Sequence, residues 1–140
     1  MGIKKPSGYS ATPLYRKLGI KNGFLIRIVH PPSRYEDFFR DFPDNVHFAK
    51  EEDVDIDFIH LFVLDSERLV TELPDLREQL KQNGMIWISW PKKASKVETD
   101  LDGNAVRNIG LKHGLVDIKV CSVNEVWSGL KFVIPLKDRK

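Results

Sequence analysis

Apolar residues occur in short, almost unbroken runs separated by polar stretches about one helix long, the pattern of parallel strands buried on both faces. The clearest runs cover residues 24–29, 58–64 and 85–90, and each is bounded by glycine, proline or a charged segment. Between them, Tyr35, Phe38, Phe39 and Phe42 recur at helical spacing after a Ser33/Glu36 capping box, predicting a helix over about 34–41 that Pro43 ends. Leu69, Leu73, Leu76 and Leu80 form a second stripe. It predicts a helix capped by Ser66 and ending near Gly84, with Pro74 kinking or splitting it.

Smaller signals complete the order. Thr12-Pro13 starts a short helix over 14–18 that Gly19 stops. Residues 46–49 read as a short strand, followed by a connection (Glu51, Glu52, Asp53, Asp55, Asp57) too acidic for a core. Thr99 offers a cap, with Asp102 reciprocal to it, for a helix reaching about His113. Gly103 and Gly110 weaken that helix by about 1 kcal/mol each relative to alanine. The last two runs, 116–123 and 126–134, are separated only by Asn124 and Glu125, which forces an antiparallel pair.

The resulting order, helix, β, α, β, β, α, β, α, β, β, predicts a three-layer α/β domain with a mostly parallel twisted sheet, helices on both faces and a C-terminal antiparallel hairpin. Leu80-Lys81-Gln82-Asn83-Gly84 before a strand is similar to the Leu-Lys-Pro-Gly-Gly turn of methyltransferases. Together with the terminal hairpin, it makes the chain resemble a methyltransferase-like Rossmann domain lacking one strand-helix unit. The resemblance implies that the last strand inserts between 85–90 and 116–123.

The same resemblance raises the question of S-adenosylmethionine. Methyltransferases hold it with a glycine-rich turn after the first strand, whereas this chain has His30-Pro31-Pro32-Ser33, and proline neither donates an N–H nor reaches positive φ. Glu51 or Glu52 stands where a ribose-binding acid follows the second strand. Without the glycine turn, this reading sets S-adenosylmethionine aside and leaves the cofactor unknown.

Open α/β sheets bind ligands at the carboxyl ends of their strands. That edge gathers His30 to Ser33, Asp65-Ser66, the loop Pro91 to Lys96 and the hairpin turn. The candidate ligand-binding residues are therefore Lys92, Lys93, Ser95, Lys96, Glu125, Trp127, Ser128 and His30. Ammonium groups beside an aromatic plane suit an anionic small molecule or nucleotide. The competing reading is a solvated lysine loop neutralised by nearby acids, with Trp127 beneath it.

Composition narrows the choices. With 22 basic and 20 acidic residues the formal charge is +2, which is no strong nucleic-acid signal, so any basic site is local. At 140 residues and 41% apolar, the chain is one domain, 1–140, with residues 1–11 expected to be flexible. Cys121 is the sole cysteine, which excludes an intrachain disulfide and points to a reducing, cytoplasmic setting. No apolar run reaches the roughly 18 residues of a membrane span, and no signal core follows Lys4 and Lys5. No histidine–acid set has metal-ligand spacing, and no serine sits in a nucleophile elbow. Arg27 and His60 interrupt apolar strands, so each needs a buried partner such as a carbonyl or the acidic connection. Trp87 and Trp90, three apart, point to opposite faces.

Four segments, Gly8 to Leu14 with Lys17 to Ile20, His60-Leu61-Phe62, Ser89 to Ser95, and Val120-Cys121 with Trp127 to Phe132, resemble an uncharacterised bacterial family, the domain of unknown function 3052. That family implies no activity or ligand. The sequence thus supports an α/β protein binding an anionic small molecule or a partner at the carboxyl edge. The alternatives are a divergent methyltransferase-like group-transfer enzyme with a non-standard cofactor site, and a protein-interaction module.

Overall fold

The computed structural model describes residues 12–140; the flexibility expected of residues 1–11 lies outside the described residues. Six strands form one sheet in the order β2-β1-β3-β4-β6-β5. They are β1 (Leu25–Val29), β2 (His47–Phe48), β3 (Ile56–Phe62), β4 (Leu80–Pro91), β5 (Val116–Ser122) and β6 (Trp127–Val133). The first four run parallel, and β6 is antiparallel to both β4 and β5. The predicted fold class and the insertion of the last strand are both present.

Strand alternation divides the core into two layers. On one face, Ile59, Leu61, Ile86, Ile88, Trp90 and Phe132 lie under α2 (Ser66–Gln79) and α3 (Gly103–Lys112). On the other, Phe58, Phe62, Trp87 and Trp127 lie with Leu18, Ile20 and Tyr35 from α1 (Leu14–Leu18), the segment after it and the segment after β1. Trp87 and Trp90 therefore serve opposite faces, as their spacing predicts. The Trp87 indole N–H donates to Leu18 O at 2.7 Å and pins the end of α1 to the sheet.

Local differences from expectation have physical causes. The 34–41 segment is a short 3-10 turn, Tyr35–Phe38, after which Phe39 is extended. Phe39 and Phe42 turn back onto Tyr35, with ring centroids 5.0 and 6.1 Å away, so aromatic packing overrides the helical period. The helix α2 is unbroken at Pro74. Pro74 and Val70, four residues earlier, are both exposed, so the carbonyl that the proline leaves unpaired can reach water. Its cap is Asp65, whose carboxylate accepts from Arg68 N, and it ends at Gln79. The cap of α3 is Asp102, not Thr99; the Thr99 hydroxyl donates to Leu64 O instead. Arg27 reaches the carbonyls of Lys50 and Asp53 and the Gln79 side chain, securing the acidic connection against α2.

Gly110 in α3 illustrates packing against propensity. A Cβ there would sit 2.2 Å from the Phe132 ring, within the core layer under that helix. Helix propensity alone makes Gly110→Ala stabilising by about 1 kcal/mol. We predict destabilisation by about 1–3 kcal/mol, read as a lower urea midpoint at unchanged slope, with partial recovery when Phe132→Leu is added.

Candidate functional site

The chain leaves β1 towards β2 on one side and returns past β1 to β3 on the other. The sheet's topological switch point is therefore between the carboxyl ends of β1 and β3, where doubly wound sheets open a crevice. A cleft of about 390 Å³ lies there. His30 and Pro32 line it from the segment after β1, and Phe62, Val63, Leu64 and Asp65 from the end of β3. Arg68 from the first turn of α2 and Trp127 from the start of β6 complete the lining. The volume is within the range of small-molecule sites, and the walls are largely apolar with a few polar groups.

Each wall has a local cause. Trp127 is fixed by the hairpin turn, in which Asn124 Oδ1 accepts the N–H groups of Val126 and Trp127 at 2.9 Å each. Its ring meets Phe62 edge-on, with centroids 5.2 Å apart. Asp65 Oδ1 accepts from Arg68 N at 2.8 Å, leaving Oδ2 without a partner among the described residues. His30 has φ 55, the left-handed conformation, and its Nε2 lies 2.7 Å from Glu72 Oε2. Arg68 Nη1 stands 3.2 Å from the same carboxylate oxygen, so Glu72 holds imidazole and guanidinium together at the rim. Arg68 Nη1 also lies 3.0 Å from His30 Nε2, which accepts from it in one tautomer; in the other, Nε2–H donates to Glu72 and Nδ1 keeps its lone pair. Beside them, Asp100 accepts from both Ser66 N and Ser66 Oγ at 2.8 Å. Those hydrogen bonds hold its carboxyl below the usual range.

The sequence-selected residues share this edge, but the cleft gathers only some of them. His30 and Trp127 line it. Lys92 Nζ donates to Ser122 Oγ at 2.6 Å, and Lys93 is exposed. Ser95 Oγ donates to Lys92 O at 2.6 Å, closing the loop, and Lys96 is exposed with φ 62. Glu125 is exposed in the hairpin turn, and Ser128 pairs with Trp90 and Ser122. Glu51 and Glu52 are exposed after β2. Arg68 and Leu64 also line the cleft, and both are legible in the sequence: Arg68 stands in the first turn after an edge cap and points back at the edge, and Leu64 ends the apolar run of β3. Among the described residues, no group of three or more His, Cys, Asp or Glu side chains could hold a metal ion, and no helix is long and apolar enough to cross a membrane.

A polar chain runs beneath the cleft. His60, fully buried, takes side-chain partners where a carbonyl or the acidic connection was expected: Tyr35 Oη lies 2.8 Å from Nδ1 and Ser89 Oγ 2.7 Å from Nε2. Burial raises the Tyr35 phenol, which therefore keeps its proton, and the two hydroxyls, each able to donate or accept, satisfy both ring nitrogens whichever of them carries the hydrogen. Burial also lowers His60 to about 3, so the ring is neutral. The ring stacks on Phe62 with centroids 4.2 Å apart, directly supporting the cleft wall. Gly129 leaves room for this arrangement, since a Cβ there would come within 3.2 Å of Ser89 Oγ and 3.1 Å of the Trp87 ring.

No family model and no curated protein matches the sequence, so the resemblance to the domain of unknown function 3052 is not confirmed. Solved structures do match in shape. A SAM-dependent methyltransferase from Aquifex aeolicus aligns with TM-score 0.55 at 17% identity, over 87% of this chain and 88% of that one. The ribosomal protein L11 methylase of Lactobacillus delbrueckii subsp. bulgaricus aligns with TM-score 0.56 at 12% identity, over 86% and 74%. Magnesium protoporphyrin IX methyltransferase from Synechocystis PCC 6803 with bound SAM gives TM-score 0.53 at 10% identity, over 81% and 71%; its SAH-bound form also matches. The chain thus has a methyltransferase-like Rossmann fold. These neighbours, SAM- and SAH-bound forms among them, overturn the expectation that set S-adenosylmethionine aside. Pro31 and Pro32 exclude one kind of phosphate- or amino-acid-binding turn, which is narrower than excluding the cofactor.

The buried imidazole has a measurable signature. Its folded pKa of about 3 lies below the ordinary value near 6.5, so its contribution to stability is complete above the unfolded pKa and is lost as pH falls towards 3. We predict that between pH 7 and pH 5 urea unfolding of the wild type loses about 2 kcal/mol more than that of His60→Gln. The His60 ring signals should not titrate across that range by NMR.

Proposed function

We propose that the chain binds S-adenosylmethionine in the cleft between β1 and β3 as a divergent methyl-transfer protein, with side chains of the β3–α2 junction replacing a glycine-rich turn. The observation that carries this reading is the coincidence of a partly apolar cleft of about 390 Å³ with the switch point of a methyltransferase-like sheet.

The residues present fit such a ligand. Trp127 and exposed Leu64 offer apolar surface for a purine above a floor of buried Phe62 and Val63. Asp65 Oδ2 is free to accept from ribose hydroxyls, and Arg68 can pair with an amino-acid carboxylate. When bound, the cofactor supplies a methyl group on a sulfonium, an electrophile that an acceptor nucleophile can attack. The chain's own part is to orient, to exclude water with Trp127 and Phe62, and to receive the acceptor's proton on Nδ1 of His30, whose Nε2 is held by Glu72.

Thermal-shift and titration calorimetry test the reading with S-adenosylmethionine and S-adenosylhomocysteine. At about 100 times the dissociation constant, stabilisation near 2.7 kcal/mol raises the melting temperature by about 10 °C. Arg68→Ala, on an exposed side chain, weakens binding at least tenfold, and Trp127→Ala abolishes it, while Lys92→Ala/Lys93→Ala leaves it unchanged. No shift with either compound, or an undiminished shift in Arg68→Ala, overturns the assignment.

A further inference from the structure

On the sheet face that carries Trp87, away from the cleft, positive charge collects with nothing of opposite sign to meet it. Lys119 and Lys131 stand directly opposite each other on β5 and β6, a like-charge pair of the kind that destabilises a sheet. On its other side Lys131 is in register with Trp87 of β4. Its Nζ reaches the end of α1, 4.0 Å from where a Cβ on Gly19 would lie. Lys131 is half-buried there, and burial, with the neighbouring charges of Lys119 and Lys21, holds its ammonium below the usual range.

An ammonium carries three N–H donors. Among the described residues, Lys21, Lys119 and Lys131 have no carboxylate at ion-pair distance, and none of their ammonium groups has a hydrogen-bond acceptor. Residues 1–11 add Lys4 and Lys5 and no acid. The cluster is also local. Towards the carboxyl edge the same face continues with Gly129 and Trp127 on β6 and with Cys121 and Val123 beside them, none of which is charged. Trp127 is four residues from Lys131, about 13 Å along the strand, so the cluster and the cleft are separate.

We propose that Lys21, Lys119 and Lys131 form a second ligand site, which takes the phosphate or diphosphate group of a small molecule between the end of α1 and the β5–β6 hairpin. The site is independent of whether the cleft takes S-adenosylmethionine. Three features favour this occupant. A carboxylate leaves most of the cluster's charge uncompensated, whereas one phosphate carries close to two negative charges and a diphosphate more. Side chains directly opposite on an antiparallel pair start about 5 Å apart, and flexible lysine stems let both ammonium groups reach oxygens of the same phosphate. A polymeric phosphate backbone needs charge that continues along the face, and here it stops at Gly129 and Cys121; protein–protein interfaces, for their part, are depleted of lysine. The bound group supplies the acceptors that half-buried Lys131 lacks and turns a repulsive strand pair into one that shares a counterion.

Titration calorimetry and amide chemical-shift mapping with sodium pyrophosphate, at ionic strength held constant with sodium chloride, test the site. Saturable binding is expected, with shifts centred on Gly19, Lys21, Lys119 and Lys131. Lys119→Gln/Lys131→Gln weakens it at least tenfold, since each lysine lost removes a charged hydrogen bond. Lys112→Gln, at the end of α3 across the sheet, leaves it unchanged. If the double variant does not fold by circular dichroism, Lys119→Gln alone, at an exposed position, weakens binding at least threefold. Adenosine diphosphate identifies the source of the group: tighter binding than pyrophosphate assigns it to a nucleotide, and binding no tighter assigns it to the free anion. No saturable binding of pyrophosphate, equal binding of acetate, or undiminished affinity in the folded variants overturns the proposal. Competition by S-adenosylhomocysteine also overturns it, because the anion is then in the cleft.

Discussion

The arrangement around the cleft depends on a neutral imidazole sealed inside the sheet. His60 connects three segments that are distant in sequence: the aromatic turn through Tyr35, its own strand β3, and β4 through Ser89. A polar ring with no access to water tolerates one hydrogen-bonding pattern, because leaving either nitrogen unpaired carries the full desolvation penalty. Position 60 therefore specifies more than it stabilises. An apolar residue would fill the space, but it would leave the turn after β1 free to settle elsewhere on Tyr35, Phe39 and Phe42. Since that turn continues from His30 and Pro32, the cleft wall takes its placement from a contact one layer deeper.

Strand signals were the most legible part of the chain, and the reason is physical. Runs such as 58–63 and 86–90 are buried on both faces, so nothing but apolar residues is tolerated apart from paired exceptions such as His60 and Ser89. Helix starts were less legible, because Ser66 and Thr99 are good caps by type but Asp65 and Asp102 are the residues whose carboxylates meet the N–H groups. The 34–41 segment misled for a different reason. Its aromatic spacing suits a helix, yet the partners that decide its conformation, Phe62 and His60, come from another strand.

For the site, the carboxyl edge was legible from strand direction, and His30 and Trp127 followed from it. The basic loop drew more weight than its contacts support, since the Ser95 hydroxyl and Lys92 are spent on closing that loop and on Ser122. Arg68 and the free oxygen of Asp65 needed the α2 cap to be placed one residue earlier than expected. Charge was hardest to read. A net of +2 does not show that Lys119 and Lys131 stand opposite each other on β5 and β6, or that Lys131 Nζ approaches the chain at Gly19.

The short β2 has a consequence beyond the site. A sheet that ends in a strand of two residues has almost no row of free N–H and C=O groups on that side for another chain to copy. The opposite margin, β5, is longer and carries exposed Ile118 and Val120, a pattern prone to edge-to-edge association. There the ladder is interrupted between Asp117 and Lys119, and a charged side chain sits between the two apolar ones. Reduction of the sheet at one margin and a break in register at the other protect the same molecule against fibrous self-assembly, by subtraction on one side and by distortion on the other.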